Sequence, residues 1–85
     1  MTTYAISYAR GVKKDFKAID KKEYVRIVAV IHKLATNPRP EGAKKLVGLK
    51  YYRIRVGDYR VIYDVRDSEL VILVVEVGHR REIYR

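Results

Sequence analysis

The feature that most constrains this chain is the period-two pattern from position 51 onward. Residues 51–56 and 59–66 are aromatic and β-branched runs separated by Gly57-Asp58, the length of a two-residue hairpin turn. Asp67-Ser68 makes a second tight turn into residues 69–77. These are apolar on both faces from Leu70 to Val75 and are therefore expected to form the central strand, ending at Gly78. Three strands joined by such short turns are expected to pair as an antiparallel meander, and one face of it then needs cover.

The first half of the chain supplies that cover. Residues 4–8 alternate like a short strand, and residues 9–20 change to helical spacing: Val12, Phe16 and Ile19 fall on one side, Lys13, Lys14 and Lys17 on the other. Asp20 is placed to N-cap a second helix over 21–35, with Glu23 at the capping-box position and Tyr24, Ile27, Val28, Ile31 and Leu34 as its apolar stripe. Asn37-Pro38-Arg39-Pro40-Glu41-Gly42 stops it, because proline lacks the N–H and pushes the preceding residue toward extended geometry. A basic loop over 43–50 leads into the strands. The expected architecture is α+β in the order β-α-α-β-β-β: a small antiparallel sheet with a helical hairpin on one face, in a single domain spanning 1–85.

Composition limits what such a domain does. Eighty-five residues hold one core and no second lobe. Nineteen Lys and Arg against ten Asp and Glu give +9, with a sequence pI near 9.9. A field of this size favours a polyanionic partner, and nucleic acid is expected, RNA ahead of DNA. The absence of cysteine excludes a disulfide scaffold and thiolate metal sites. Residues 1–6 carry no basic n-region and the longest apolar stretch, 70–75, is far below a membrane span, so a cytoplasmic protein without membrane contact is expected.

Period two puts Arg53 and Arg55 on one face of their strand, opposite Tyr52, Ile54 and Val56. Across the turn Arg60 lies opposite Val61, Tyr63 and Val65, on the same solvated basic surface. Three permanently charged guanidiniums suit a phosphate, although a solvated face screened by Asp58, Asp64 and Glu76 accounts for the pattern equally well. After the central strand, His79, Arg80, Arg81, Tyr84 and Arg85 follow in close succession, and a helical turn over 80–84 would make Arg80 and Tyr84 neighbours. Self-cleavage of RNA through its 2′-OH needs a base, cations for the phosphorane-like transition state and a proton for the leaving oxygen. In this set the histidine or the arginine-flanked tyrosine suits proton exchange and the arginines suit charge stabilisation alone, while a surface histidine ending a strand is the plainer account of His79. His32 is read as helix packing. Tyr4, Tyr24 and Tyr63 fit core positions, and Tyr51, Tyr52 and Tyr59 suit stacking on unpaired bases. Asp64, Asp67, Glu69, Glu76 and Glu82 are scattered, and the glycines lack phosphate-loop spacing, so neither metal nor cofactor is expected.

Pro38-Arg39-Pro40, Gly42-Ala43-Lys44-Lys45-Leu46, the run from Tyr52-Arg53-Ile54-Arg55 through Gly57-Asp58-Tyr59-Arg60 to Tyr63, and Gly78-His79-Arg80-Arg81-Glu82-Ile83-Tyr84 together resemble the RelE/ParE toxin superfamily, in its RelE branch. The resemblance covers nearly the whole chain. It implies the RelE-like microbial RNase fold and the toxin of a type II toxin-antitoxin system: a metal-independent endoribonuclease, or mRNA interferase, that cleaves mRNA in the ribosomal A site and is silenced by a RelB-like antitoxin. Carried over by position, it implies catalytic roles for Arg53, Arg55, Arg60, Arg80 and Tyr84, with Lys44, Lys45, Lys50, His79 and Arg81 contacting RNA. Well-studied relatives carry lysines where this chain has Arg53 and Arg55, which moves proton transfer away from those positions. Some relatives also continue past the residue that matches Tyr84. Two other readings fit the same fold: a ParE-like toxin directed at DNA gyrase without nuclease chemistry, and an RNA-binding domain without turnover.

Overall fold

The computed structural model describes residues 3–79. They form β1 (Ala5–Tyr8), α1 (Val12–Lys17), α2 (Lys21–Leu34), β2 (Lys44–Lys45), β3 (Tyr52–Val56), β4 (Tyr59–Arg66) and β5 (Val71–His79). One five-stranded sheet has the order β1-β5-β4-β3-β2. The meander β3-β4-β5 is antiparallel as expected, but β1 runs parallel to β5, with Ala5 opposite Val71 and Tyr8 opposite Val74. The sheet is therefore mixed. The reason is topological: two consecutive helices carry the chain across one face and return it to the sheet, and β1, at the outer edge of β5, ends up running in the same direction. The loop expected over 43–50 also contributes a strand, because Lys44 and Lys45 pair with Arg53 and Tyr52.

The core lies between the helices and one sheet face. Val12 of α1, Ile19 just past its end, and Ile27, Ile31 and Leu34 of α2 pack with Val56, Val61, Tyr63, Ile72, Val74 and Val77. The apolar stripe of α2 is narrower than its sequence suggests, since Tyr24 near its N-terminal end is exposed and packs edge to face with Phe16. Asp20 occupies the N-cap, yet its side chain makes no capping bond; its carbonyl accepts the Tyr24 N–H at 2.8 Å, and Glu23 pairs with Arg26 instead of closing a capping box. The first helix is also shorter than the spacing predicts. Gly11, at φ 99°, turns the chain into it, and Ala18 ends it. Within α1, Asp15 turns toward the sheet and accepts the Val77 N–H at 3.2 Å, past the point where β1 stops pairing with β5.

Two irregularities shape β5. The turn from β4 occupies four residues rather than two, so the strand starts at Val71; Leu70 sits in left-handed conformation at φ 55° and its carbonyl accepts the Ala5 N–H. Further on, Ile62 pairs with Glu76 but Tyr63 with Val74, so Val75 is an extra residue, a β-bulge. The bulge explains why Val74 and Val77 are both buried although three positions apart.

At the end of the sheet near Leu70, a polar clamp ties three segments together. The guanidinium of Arg39 lies over the Tyr52 ring, donates to the Tyr52 hydroxyl at 3.1 Å and pairs with Asp67 at 2.9 Å, while the Tyr4 hydroxyl donates to the same carboxylate. The bonds from Arg39 and then Tyr4 hold the Asp67 carboxyl below its ordinary range. Beneath them Tyr52 stacks on Tyr63, whose hydroxyl donates to the Pro38 carbonyl at 2.7 Å.

Two outcomes are expected. Leu70→Asn relieves the left-handed strain at an exposed position and should stabilise the protein by about 0.5–1 kcal/mol, a rise of about 2–8 °C in Tm by thermal melting. Burial pushes the Tyr63 phenol up to about 12. Because its folded value lies above the unfolded one, its contribution is complete below about pH 10 and is lost as pH rises toward 12. Denaturant melts across that window should show a falling midpoint in the native chain and a flatter profile in Tyr63→Phe.

Candidate nucleic-acid interface

The sheet face turned away from the helices carries the cations. Arg55 pairs directly with Arg60 across β3 and β4, Arg53 lies two positions along on the same face, and Lys44 is opposite Arg53 across β2 and β3. Lys44, Arg53, Arg55 and Arg60 therefore form one cross-strand block. The pairing arises from β4 lying between two antiparallel partners, which holds its even-numbered residues Arg60, Ile62 and Asp64 away from the core.

This face is not the solvated surface expected from the sequence. Arg60 is 3% exposed and Arg53 8%, whereas Arg55 and Lys44 are open to solvent. Buried guanidiniums demand hydrogen-bonding partners or an anion. The Arg53 Nε has no hydrogen-bond partner among the described residues. Asp64, on the same face and 5% exposed, accepts from Arg66 Nε at 3.1 Å and lies 3.6 Å from Lys50 Nζ. Asp64 is one of the acids expected to screen this face; its burial and its pairing with Lys50 and Arg66 are what the sequence did not show. Glu41, Gly42, Lys44, Arg53, Ile54 and Arg55 line a shallow cavity of about 350 Å³ at the open end of the block. Such a surface can hold phosphate by bidentate contact, which the planar guanidinium fork matches.

The other expected site residues are dispersed. Lys45 pairs with Tyr52 and so lies on the helix side, and Lys50 is engaged by Asp64 and lies near the Tyr51 ring. His79 pairs with Tyr59 at the end of the sheet, ring edge to ring at 5.6 Å, and lines cavities on the helix side with Asp15 and Arg26. Tyr52 and Tyr59 are committed to internal ring contacts and to the core, not left free to receive bases. His32 is exposed and lines a groove with Tyr8, Phe16 and Tyr24. Arg80, Arg81 and Tyr84 lie outside the described residues. Among the described residues no group of acidic and histidine side chains gathers in a way that would hold a metal ion, and no helix is long and apolar enough to cross a membrane.

Comparison with known proteins places this helix-backed mixed sheet and its cationic block in a class. The sequence profile of the ParE toxin of type II toxin-antitoxin systems, parDE, matches residues 6–84. A RelE-like toxin protein of Escherichia coli is 30% identical over 80 residues, spanning 91% of this chain and 83% of that protein. The archaeal RelE–RelB complex from Pyrococcus horikoshii superposes with a TM-score of 0.81 at 32% identity, covering 94% of this chain and 97% of that one. The toxin of the Mycobacterium tuberculosis RelBE2 complex, at 20% identity, shares the fold with a TM-score of 0.84 over 94% of each chain. The chain belongs to the RelE/ParE family of type II toxins.

The burial difference within the block gives a mutational test. Arg60→Ala should cost about 1–3 kcal/mol of stability by removing a buried side chain, while Arg55→Ala should stay within about 0.5 kcal/mol of the native value in urea denaturation. Arg55→Ala is thus the cleaner probe of phosphate contact.

Proposed function

We propose that this toxin is a ribosome-dependent endoribonuclease that cleaves mRNA in the A site. The observation that carries the reading is the cross-strand block of Lys44, Arg53, Arg55 and Arg60, with two of its guanidiniums buried on a sheet face. In the proposed reaction the 2′-OH attacks its own phosphodiester, the 5′-oxygen leaves, and a 2′,3′-cyclic phosphate remains. Arg53, Arg55 and Arg60 hold the phosphate and neutralise charge building on its oxygens. Tyr84, flanked in sequence by Arg80, Arg81 and Arg85, takes the hydroxyl proton as its phenolate, a form that neighbouring guanidiniums favour. Arg80 stabilises the leaving 5′-oxygen, which takes a proton from water, and Tyr84 returns its own proton to solvent to restore the phenolate. The ribosome orders the mRNA, so the domain needs only a shallow surface.

The partner that silences it is proposed to be a RelB-like antitoxin. The relatives from Pyrococcus horikoshii and Methanococcus jannaschii are both found in RelB complexes, and a chain of net charge +9 suits an acidic wrapping segment. The second reading, a gyrase-directed toxin, draws on the ParE description of the matching profile. Programmed ribosomes and a gyrase supercoiling assay separate the two: cleaved mRNA with unaffected gyrase supports the nuclease, and gyrase inhibition with intact mRNA replaces it. Within the nuclease reading, Tyr84→Phe should slow single-turnover cleavage about 10²- to 10⁴-fold with little change in ribosome binding, and His79→Gln should cost much less. A larger loss from the histidine variant would transfer the base role to His79.

A further inference from the structure

The hairpin between β2 and β3 carries a feature that phosphate binding does not use. The Leu46 N–H donates to the Tyr51 carbonyl at 2.9 Å and the Leu49 N–H to the Leu46 carbonyl at 3.2 Å, with Gly48 at φ 75° between them. The tip is thus a closed turn, and the Lys50–Asp64 contact at 3.6 Å fastens its base to the sheet. Closure directs two aliphatic side chains outward: Val47 is 100% exposed and Leu49 52%. A single exposed aliphatic residue needs no explanation, but two on one hydrogen-bonded turn present an apolar point toward solvent.

The surroundings indicate what that point meets. Between Gly42 and Gly57 stand Lys44, Lys45, Lys50, Arg53 and Arg55 and no acidic residue. The tip continues directly through β2 and β3 into the cationic block. An apolar point among cations suits nucleic acid with accessible bases: aliphatic groups wedge against base faces while lysines hold the adjacent phosphates. A phosphate-only contact would leave Val47 and Leu49 in water. An acidic protein segment also answers the cations, so ribosome capture is the measurement that separates the two occupants.

We infer that the 46–50 tip is a second RNA contact, in which Val47 and Leu49 pack on exposed bases of structured ribosomal RNA while Lys45, on the face away from the cationic block, engages a flanking phosphate. The inference rests on the ribosome-directed reading above and adds a docking point distinct from the scissile phosphate. It predicts an effect on ribosome capture and none on the chemical step.

The test uses the full chain. Val47→Ser/Leu49→Ser should raise the ribosome concentration for half-maximal mRNA cleavage about tenfold and leave the rate at saturation unchanged. Photo-crosslinking from p-benzoylphenylalanine at position 47 should label ribosomal RNA. An unchanged half-saturation point in the double variant overturns the inference while leaving the nuclease reading intact. So does a crosslink confined to mRNA or ribosomal protein, or a defect confined to binding vesicles of phosphatidylserine and phosphatidylcholine. If the native chain binds ribosomes and crosslinks to ribosomal RNA but cleaves nothing, the nuclease reading falls and the tip contact stands. If it neither binds nor crosslinks, both fall.

Discussion

Every side chain that matters on either face of this domain takes its position from β4. The strand is paired on both sides, so its alternation is fixed over its whole length: Val61 and Tyr63 enter the core, and Arg60 and Asp64 are held on the opposite face. Helices cover only the first of these faces. The charged residues on the second are nonetheless buried, and that burial is tolerable only where charges meet opposite charges or hydrogen-bonding groups. Asp64 meets this need locally by engaging Lys50 and Arg66. A small positive sheet can be built this way because the core face supplies the hydrophobic stabilisation and leaves the other face free to carry charge.

The parts of the fold that were legible in the sequence were those governed by short-range rules. Period two over 51–66, the Gly57-Asp58 turn and the spacing of Ile27, Ile31 and Leu34 each carry a local signal, and each has its counterpart in β3, β4 and α2. What was not legible depended on partners distant in the chain. The parallel pairing of β1 is decided by the path of the helices, and nothing in Tyr4 to Tyr8 announces a direction. The extra residue Val75 hides inside an apolar run where any parity looks acceptable. Leu70 was absorbed into the strand for the same reason, although it belongs to the turn. For the site, parity placed Arg53, Arg55 and Arg60 on one face, but their depth was invisible, because an arginine reads as exposed until the surrounding sheet is known.

Proteins sharing 20 to 32% of their residues with this chain superpose with TM-scores of 0.81 to 0.84 over 94% of its length. A fold set by alternation and a few turns survives extensive substitution as long as each position keeps its side of the sheet.

The bond from the Val77 amide to Asp15 has a consequence for how the molecule behaves among copies of itself. Beyond Val74, β5 outlasts its parallel neighbour, and a bare run of backbone there would invite another chain to pair. One carboxylate oxygen from a short helix stands where the missing strand's carbonyl would be. It ends the sheet chemically, by occupying a donor, and sterically, by placing a helix alongside. Crowded chains of this protein are thereby denied one of the simplest routes to edge-to-edge assembly, at a position where lengthening β1 by a few residues would otherwise have been the remedy.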